Sequence, residues 1–432
     1  MSVGLSLLIL GLSVLGLMAA IAGVRAAGVA WRWHAEVSRK AVHVAIGVYA
    51  LALPLLFDTG WPVVALVLTS LALMAWLRRP ASRSSGLGSA IHGVERRSYG
   101  DVWLALAIGF VFLQSKGDYV LYALPIAVIA LSDAAAALTG TTYGRMRFAV
   151  LGGVKSWEGV IAFFAVTLVI SMIMLLLLTE VPRVNVVVLS LTIAAFAATV
   201  EAVSWRGLDN LFVPIAVHLF LSGWLDADPV SLGWLVGGFM LCIVAVVLVS
   251  GRLGLDAHSS RALVIAAFAF LGTAGVYGTV MPACVIAAHL FARRDRTCRS
   301  AHPDLDAIGT VSATGLIWFF VGERIGPSAI DLYNLTMTGM VLGYVWIAFP
   351  KSWIRCGATV AAFCAYLVLA GMGPSYADWV TFLPGIAAVS ISLMALLLIR
   401  HVRWFARWRA PRLAATASIV PMSAYLLQTV IS

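Results

Sequence analysis

Carboxylates, glycines and basic residues crowd into short stretches of a chain that is otherwise apolar. The densest run reads Ser132-Asp-Ala-Ala-Ala-Ala-Leu-Thr-Gly140, then Thr-Thr-Tyr-Gly144-Arg-Met-Arg147, then Gly152-Gly-Val-Lys155-Ser-Trp-Glu158-Gly159. Asp133 falls roughly two turns inside the end of a hydrophobic segment. An unpaired carboxylate at that depth is costly, so it calls for a cation or a metal. The alanines after it leave room for something bulky. Gly140 and Gly144 would let backbone approach a ligand closely. Arg145, Arg147 and Lys155 bring positive charge to the same loop, and Gly152 and Gly153 make it flexible ahead of Ser156. A helix then begins, and its free N–H groups suit an anion. Carboxylate, glycines, cations and a helix N-terminus together describe a nucleotide phosphate site with Mg²⁺. The Walker A spacing GxxxxGK[ST] is absent. A basic loop with Asp133 paired to an arginine is the plainer alternative.

Further polar clusters stand nearby. In Glu36-Val-Ser-Arg-Lys-Ala-Val-His43, Arg39 and His43 are spaced to share a helical face. Arg39 and Lys40 are either phosphate ligands or anchors at a membrane surface. Glu95-Arg-Arg-Ser-Tyr-Gly-Asp101 reads most simply as a basic loop with Asp101 near a helix N-terminus. Glu201-Ala-Val-Ser-Trp-Arg-Gly-Leu-Asp209-Asn210, followed by Leu-Phe-Val-Pro214, offers hard-cation or hydroxyl ligands. It can equally be an N-cap with Glu201 paired to Arg206. His218 reads as a core histidine with its hydrogen bonds met.

These residues have to be positioned by membrane helices. Hydrophobic residues make up 62% of the 432 and charged ones 11%, against about 25% charged in a soluble domain. A soluble core could not bury so much apolar side chain. Apolar runs near 3–29, 41–57, 61–77, 101–114, 119–140, 158–179, 186–204, 210–224 and 231–250 are candidate spans. More follow at 262–292, 308–321, 332–349, 353–371, 379–399 and 414–431. The expected fold is an all-α, polytopic transmembrane helix bundle of about 14–16 spans. Residues 1–250 would hold the catalytic loops and 251–432 an additional bundle of unassigned role. The first apolar stretch, Ser2 to Trp31, is too long for a signal h-region and reads as a span.

The net charge of +10 sits in short loops, which sets topology and does not suggest nucleic-acid binding. In the first half of the chain, Arg32, Arg39, Lys40, Arg78, Arg79, Arg83, Arg96, Arg97, Arg145, Arg147, Lys155 and Arg206 fall in loops on one side of the candidate spans, with only Lys116 and Arg183 in the opposite loops. The basic side is therefore read as cytoplasmic and the N-terminus as outside. A re-entrant or tight helical hairpin within 262–292, around Gly272, Gly275, Gly278 and Pro282, keeps that bias for the rest of the chain. The scattered cysteines have neither CxxC nor zinc spacing. The Ala-, Val- and Arg-rich usage points to a bacterial plasma membrane. All the motif clusters then meet one face. Carboxylates among Arg39, Lys40, Arg145 and Lys155 are the inventory of phosphoryl or nucleotidyl transfer.

At these residues the sequence resembles the CTP-dependent membrane lipid-alcohol kinases: dolichol kinase, phytol kinase and CTP-dependent diacylglycerol kinase. Over about residues 30–250, the resemblance rests on Arg39-Lys40-x-x-His43 and Ser98-Tyr99-Gly100. It continues through Asp133…Gly140…Gly144…Lys155-Ser156-x-Glu158-Gly159 to Glu201…Asp209-Asn210…Pro214. It departs at Ser132, where Gly is commoner, and at Asp101, where Thr is. The resemblance implies transfer of the γ-phosphate of CTP to a lipid hydroxyl at the cytoplasmic face, with Mg²⁺. Asp133, Asp209 and Asn210 would hold the metal. Lys155, Arg145 and Arg147 would neutralise the triphosphate, and Glu201 or His43 would position or deprotonate the hydroxyl. Lys155-Ser-Trp-Glu-Gly159 is also similar to phosphatidate cytidylyltransferases, but their later Lys-Arg…Gly-His-Gly-Gly…Asp-Arg run is missing. A transporter is the non-enzymatic alternative.

Overall fold

Lipid offers the backbone no hydrogen-bond partners, so each long apolar run must satisfy its own N–H and C=O groups as a helix. The computed structural model describes residues 2–77, 99–151, 153–204, 207–293, 298–325, 329–349, 351–372 and 382–431. Glu95, Arg96, Arg97 and Ser98 lie outside the described residues, as do Arg78, Arg79, Arg83, Gly152 and Arg206.

The chain is an all-α polytopic bundle. Among the described residues, nine helices are long and apolar enough to cross a membrane. The chain folds as two compact units, Met1–Gly237 and Gly238–Ser432.

The first unit begins with α1 (Val3–Ala30), α2 (Ala35–Leu51), α3 (Leu53–Leu56), α4 (Gly60–Leu77) and α5 (Gly100–Gln114). A single rod follows: α6 (Tyr119–Ala127), a π-helical turn (Val128–Ser132) and α7 (Asp133–Tyr143). Then come α8 (Trp157–Leu178), α9 (Arg183–Val203) and α10 (Asp209–Trp224). The rod, α9 and α10 supply the core, where Tyr122, Ile129, Leu189, Ile193, Val213 and Leu221 are fully enclosed. His218 is buried and its Nδ1 lies 2.9 Å from the Leu121 carbonyl oxygen.

The π turn sits immediately before Asp133. Such a turn widens the helix by one residue and is frequent at functional sites. Here α2 presses on it: a Cβ on Gly47 would overlap the Ala130 Cβ. The 144–156 segment, which the sequence suggests is a flexible loop, is instead an antiparallel hairpin. Its strands β1 (Arg147–Val150) and β2 (Gly153–Ser156) pair Arg147 with Ser156 and Phe148 with Lys155. Alternation along β2 turns Lys155 and Val154 to opposite faces, and the Phe148 ring packs 5.0 Å from that of Trp157.

The helix α11 (Pro229–Leu253) runs into the second unit. Then follow α12 (Ala257–Ala292), α13 (Pro303–Ile325), α14 (Ile330–Ala348), α15 (Ser352–Met372), α16 (Leu383–His401) and α17 (Arg409–Ile431). The core of this unit is built around α14, whose Leu332, Leu335, Met337 and Met340 are enclosed. The stretch expected to hold a hairpin is two helical segments joined at Gly275, where φ is 62° and ψ −168°. That conformation is open almost only to glycine. A Cβ there would meet open space, so Gly275→Ala should lower the unfolding midpoint through backbone strain alone, by about 1–3 kcal/mol. Gly309→Ala, inside α13 with equal space, should raise it slightly. Thermal unfolding of both variants in one detergent checks the contrast.

Candidate active site

Lys40 and His43 lie three residues apart on α2 and so share a face. Both are buried and both meet Asp133 at the start of α7. Lys40 forms a salt bridge to Asp133 Oδ2, and His43 Nε2 lies 3.4 Å from the same oxygen. His43 Nε2 also lies 3.1 Å from the carbonyl oxygen of Ile129, inside the π turn. With two oxygens before it, Nε2 must carry a hydrogen. Asp133 thus has its cation partner within the chain. The partner is Lys40, not an arginine. Arg39, one turn before His43 on the same helix, is half-exposed and paired with Glu36 at 2.5 Å.

A second cluster is organised by Lys155. Its ammonium donates to Glu201 Oε1 at 2.7 Å and to the Glu201 backbone carbonyl, and lies 3.7 Å from Asp209 Oδ2. Burial acts to lower its pKa, but the Glu201 and Asp209 carboxylates outweigh that and hold it above the ordinary lysine value. Asp209 Oδ1 accepts from Asn210 N, and Asn210 Nδ2 donates to the Gly100 carbonyl at 2.9 Å. Asn210 Oδ1 and Glu201 Oε2 are buried with no hydrogen-bond partner among the described residues.

Both clusters open on one cavity of about 1210 Å³. Arg39, Lys40, His43, Asp133, Gly140, Arg147, Lys155, Ser156, Gly159, Glu201, Asp209 and Asn210 line it. Gly144, Arg145 and Glu158 do not. Glu158 accepts from the backbone N–H groups of Arg145 and Met146, both at 3.0 Å, and so ties the β1 entrance to the first turn of α8. Gly144 and Gly159 each stand close to neighbouring protein atoms. A Cβ on Gly159 would lie 2.9 Å from the Ala136 carbonyl oxygen, and one on Gly144 the same distance from Ser156 Oγ. They let the end of α7 meet the start of α8. Gly159→Ala is therefore expected to cost about 1–3 kcal/mol, read as a lower unfolding midpoint, with activity falling alongside.

Arg25, Arg32 and Asp101 also line the cavity, and sequence reasoning gives them no part in it. Arg25 is a charge inside a long apolar helix, which is itself a functional signal. Asp101 is masked by its fitness as a first-turn residue.

A phytol kinase from Synechocystis sp. is 34% identical to this chain over 189 residues, which is 43% of this chain and 78% of that protein. The chain belongs to the membrane lipid-kinase family. No family model matches the sequence, and no solved structure matches it.

A lipid kinase needs a place for phosphate charge beside a place for the acceptor hydroxyl. The two clusters differ in their unsatisfied atoms. Glu201 Oε2, Asn210 Oδ1 and Asp209 are hard oxygen donors, two of them unsatisfied, and fit Mg²⁺, which takes one or two carboxylates plus substrate phosphates. Among the described residues, no group of three His, Cys, Asp or Glu side chains forms a self-sufficient metal site. Asp133, expected from sequence with Asp209 and Asn210, pairs with Lys40 and lies beside His43.

Proposed function

We propose that this lipid kinase transfers the γ-phosphate of CTP to the hydroxyl of a membrane lipid alcohol at the cytoplasmic face. The observation that carries the reading is the single cavity bearing both clusters, Lys40–Asp133–His43 and Lys155–Glu201–Asp209. The phytol kinase relative supports an alcohol as acceptor. The basic loops support a cytoplasmic site and an external N-terminus.

In this mechanism the lipid oxygen attacks the γ-phosphorus in line. An O–P bond forms, the bond to the β-phosphate oxygen breaks, and CDP leaves with the electron pair. Asp133, salt-bridged to Lys40, takes the hydroxyl proton, and His43 fixes its orientation. Lys155, Arg39 and Arg147 face the triphosphate charge. Glu201, Asp209 and Asn210 would hold Mg²⁺, which when bound offsets charge on the phosphate oxygens. Activation of the acceptor by such a base contributes on the order of 10²–10⁴-fold.

The test uses purified full-length protein, CTP labelled in either the γ-phosphate or the cytidine, and phytol, polyprenol and diacylglycerol as acceptors. The expected product is an alcohol phosphate carrying the γ-label, with CTP preferred over ATP. A lipid carrying cytidine label would replace the kinase by a cytidylyltransferase. A preference for ATP would overturn the choice of donor.

A further inference from the structure

The cavity does not stop at the charged residues. From Lys40 and Asp133 it continues between α1, α2, α4 and α5. Along α1 it is lined by Leu17, Met18, Ile21 and Val24, at helical spacing on one face. Leu73 and Val67 of α4 and Leu104 of α5 complete the walls. Its lining reaches Val14 on α1, Tyr49 and Ala50 on α2, Leu53 at the start of α3, Leu66 on α4 and Ile108 on α5. The Tyr49 hydroxyl is buried there, beside Ser13 of α1.

An apolar arm continuous with a phosphoryl-transfer site has one natural occupant, the hydrocarbon chain of the acceptor. Its length follows from the helices. Lys40 to Leu53, or Gly28 to Val14, spans roughly 20 Å at about 1.5 Å per residue. An extended chain advances about 1.2 Å per bond, as an extended polypeptide does over its three bonds per residue. The arm therefore holds about sixteen bonds, the main chain of about four isoprene units at four carbons each. The volume agrees with a single chain. A single compact ligand typically takes about 300–1,000 Å³, and this cavity of about 1210 Å³ has a nucleotide to hold as well.

We propose that Tyr49 and Leu53, with Val14, Leu66 and Ile108, form a floor that limits the chain length of the lipid alcohol to about four isoprene units. This rests on the lipid-alcohol kinase reading for the charged end of the cavity. The floor residues touch only the far end of the chain, so they act on selectivity between alcohols.

The test pairs turnover with labelling. In mixed micelles, kcat/KM of the full chain is expected to fall at least about 10-fold between alcohols of four and six isoprene units, the discrimination a closed apolar pocket achieves. Tyr49→Ala should raise the six-to-four ratio by about 10-fold, and Leu66→Trp should lower the four-to-two ratio by a similar factor. A nine-unit alcohol or diacylglycerol used by the unaltered protein as well as the four-unit alcohol would overturn the floor. Independently, a four-unit alcohol with a diazirine at its tail is cross-linked to the unaltered protein. Label on 49–53 or on Leu66 supports the floor, and label confined elsewhere overturns it. Label at the floor in a protein that phosphorylates no alcohol would keep the channel and sink the kinase reading.

Discussion

Asp133→Asn is expected to reduce phosphoryl transfer by on the order of 10³-fold and to lower stability as well. The stability loss follows from Lys40, whose ammonium is buried against the Asp133 carboxylate. An amide of the same shape cannot balance that charge, and breaking a buried pair from one side costs about 3–5 kcal/mol. The two effects separate in a double variant. Lys40→Met in the Asp133→Asn background removes the stranded charge, so most of the unfolding midpoint should return while activity stays lost. Recovery of activity together with stability would give Asp133 a purely structural part. Near-normal activity in Asp133→Asn alone would remove it from the chemistry.

Lys155→Ala should have the second largest effect. Lys155 is the cation between Glu201 and Asp209, and it also donates to a carbonyl in the last turn of α9, where a cation suits the helix dipole. Without it, two carboxylates face one another with only water between them, and several kcal/mol of stability are expected to go. KM for the nucleoside triphosphate should rise by about 10–100-fold, or roughly 1.4–2.7 kcal/mol. KM for the lipid should change far less, because the acceptor is held around Asp133 and the apolar arm. Steady-state kinetics with each substrate varied in turn reads the split. Equal changes in both KM values would make Lys155 a scaffold for the whole cavity. Lys155→Arg is an informative companion, since a planar guanidinium keeps the charge but not the compact fit between two carboxylates.

Asp133 and Lys155 stand out in the sequence, but several of their neighbours have partners that spacing does not reveal. By type and position Lys40 suits a phosphate ligand or an anchor, yet it is the counter-ion of Asp133. Arg39 lines the cavity with His43, and its guanidinium also reaches back to Glu36. Helical spacing allows either cation beside His43, because three- and four-residue separations both bring side chains together. Which one meets Asp133 depends on where α7 passes. The glycines follow the same pattern. A glycine signals close approach without saying what approaches, and at Gly144 and Gly159 it is the chain itself. Glu158 shows the limit again: beside Lys155 it resembles part of a ligand site, and it is a backbone tie for the hairpin.

Composition alone makes this a helical membrane protein, because 62% hydrophobic residues can be satisfied only by lipid-covered helices. Position along the chain singles out Asp133, Glu201 and Asp209 as well, since carboxylates near apolar segments are too costly to be incidental. What those carboxylates face is a matter of packing. Lys40 and Asp133 are 93 positions apart and Lys155 and Glu201 are 46 apart, and local periodicity carries no information at such separations. The strands of 147–156 depend on packing too: Lys155 is directed by the pairing of β2 with β1, where glycines suggest only a flexible loop. So does the apolar arm, which exists only because α1, α2, α4 and α5 leave space between them. No single helix encodes that space, because it belongs to the way the four are placed around it.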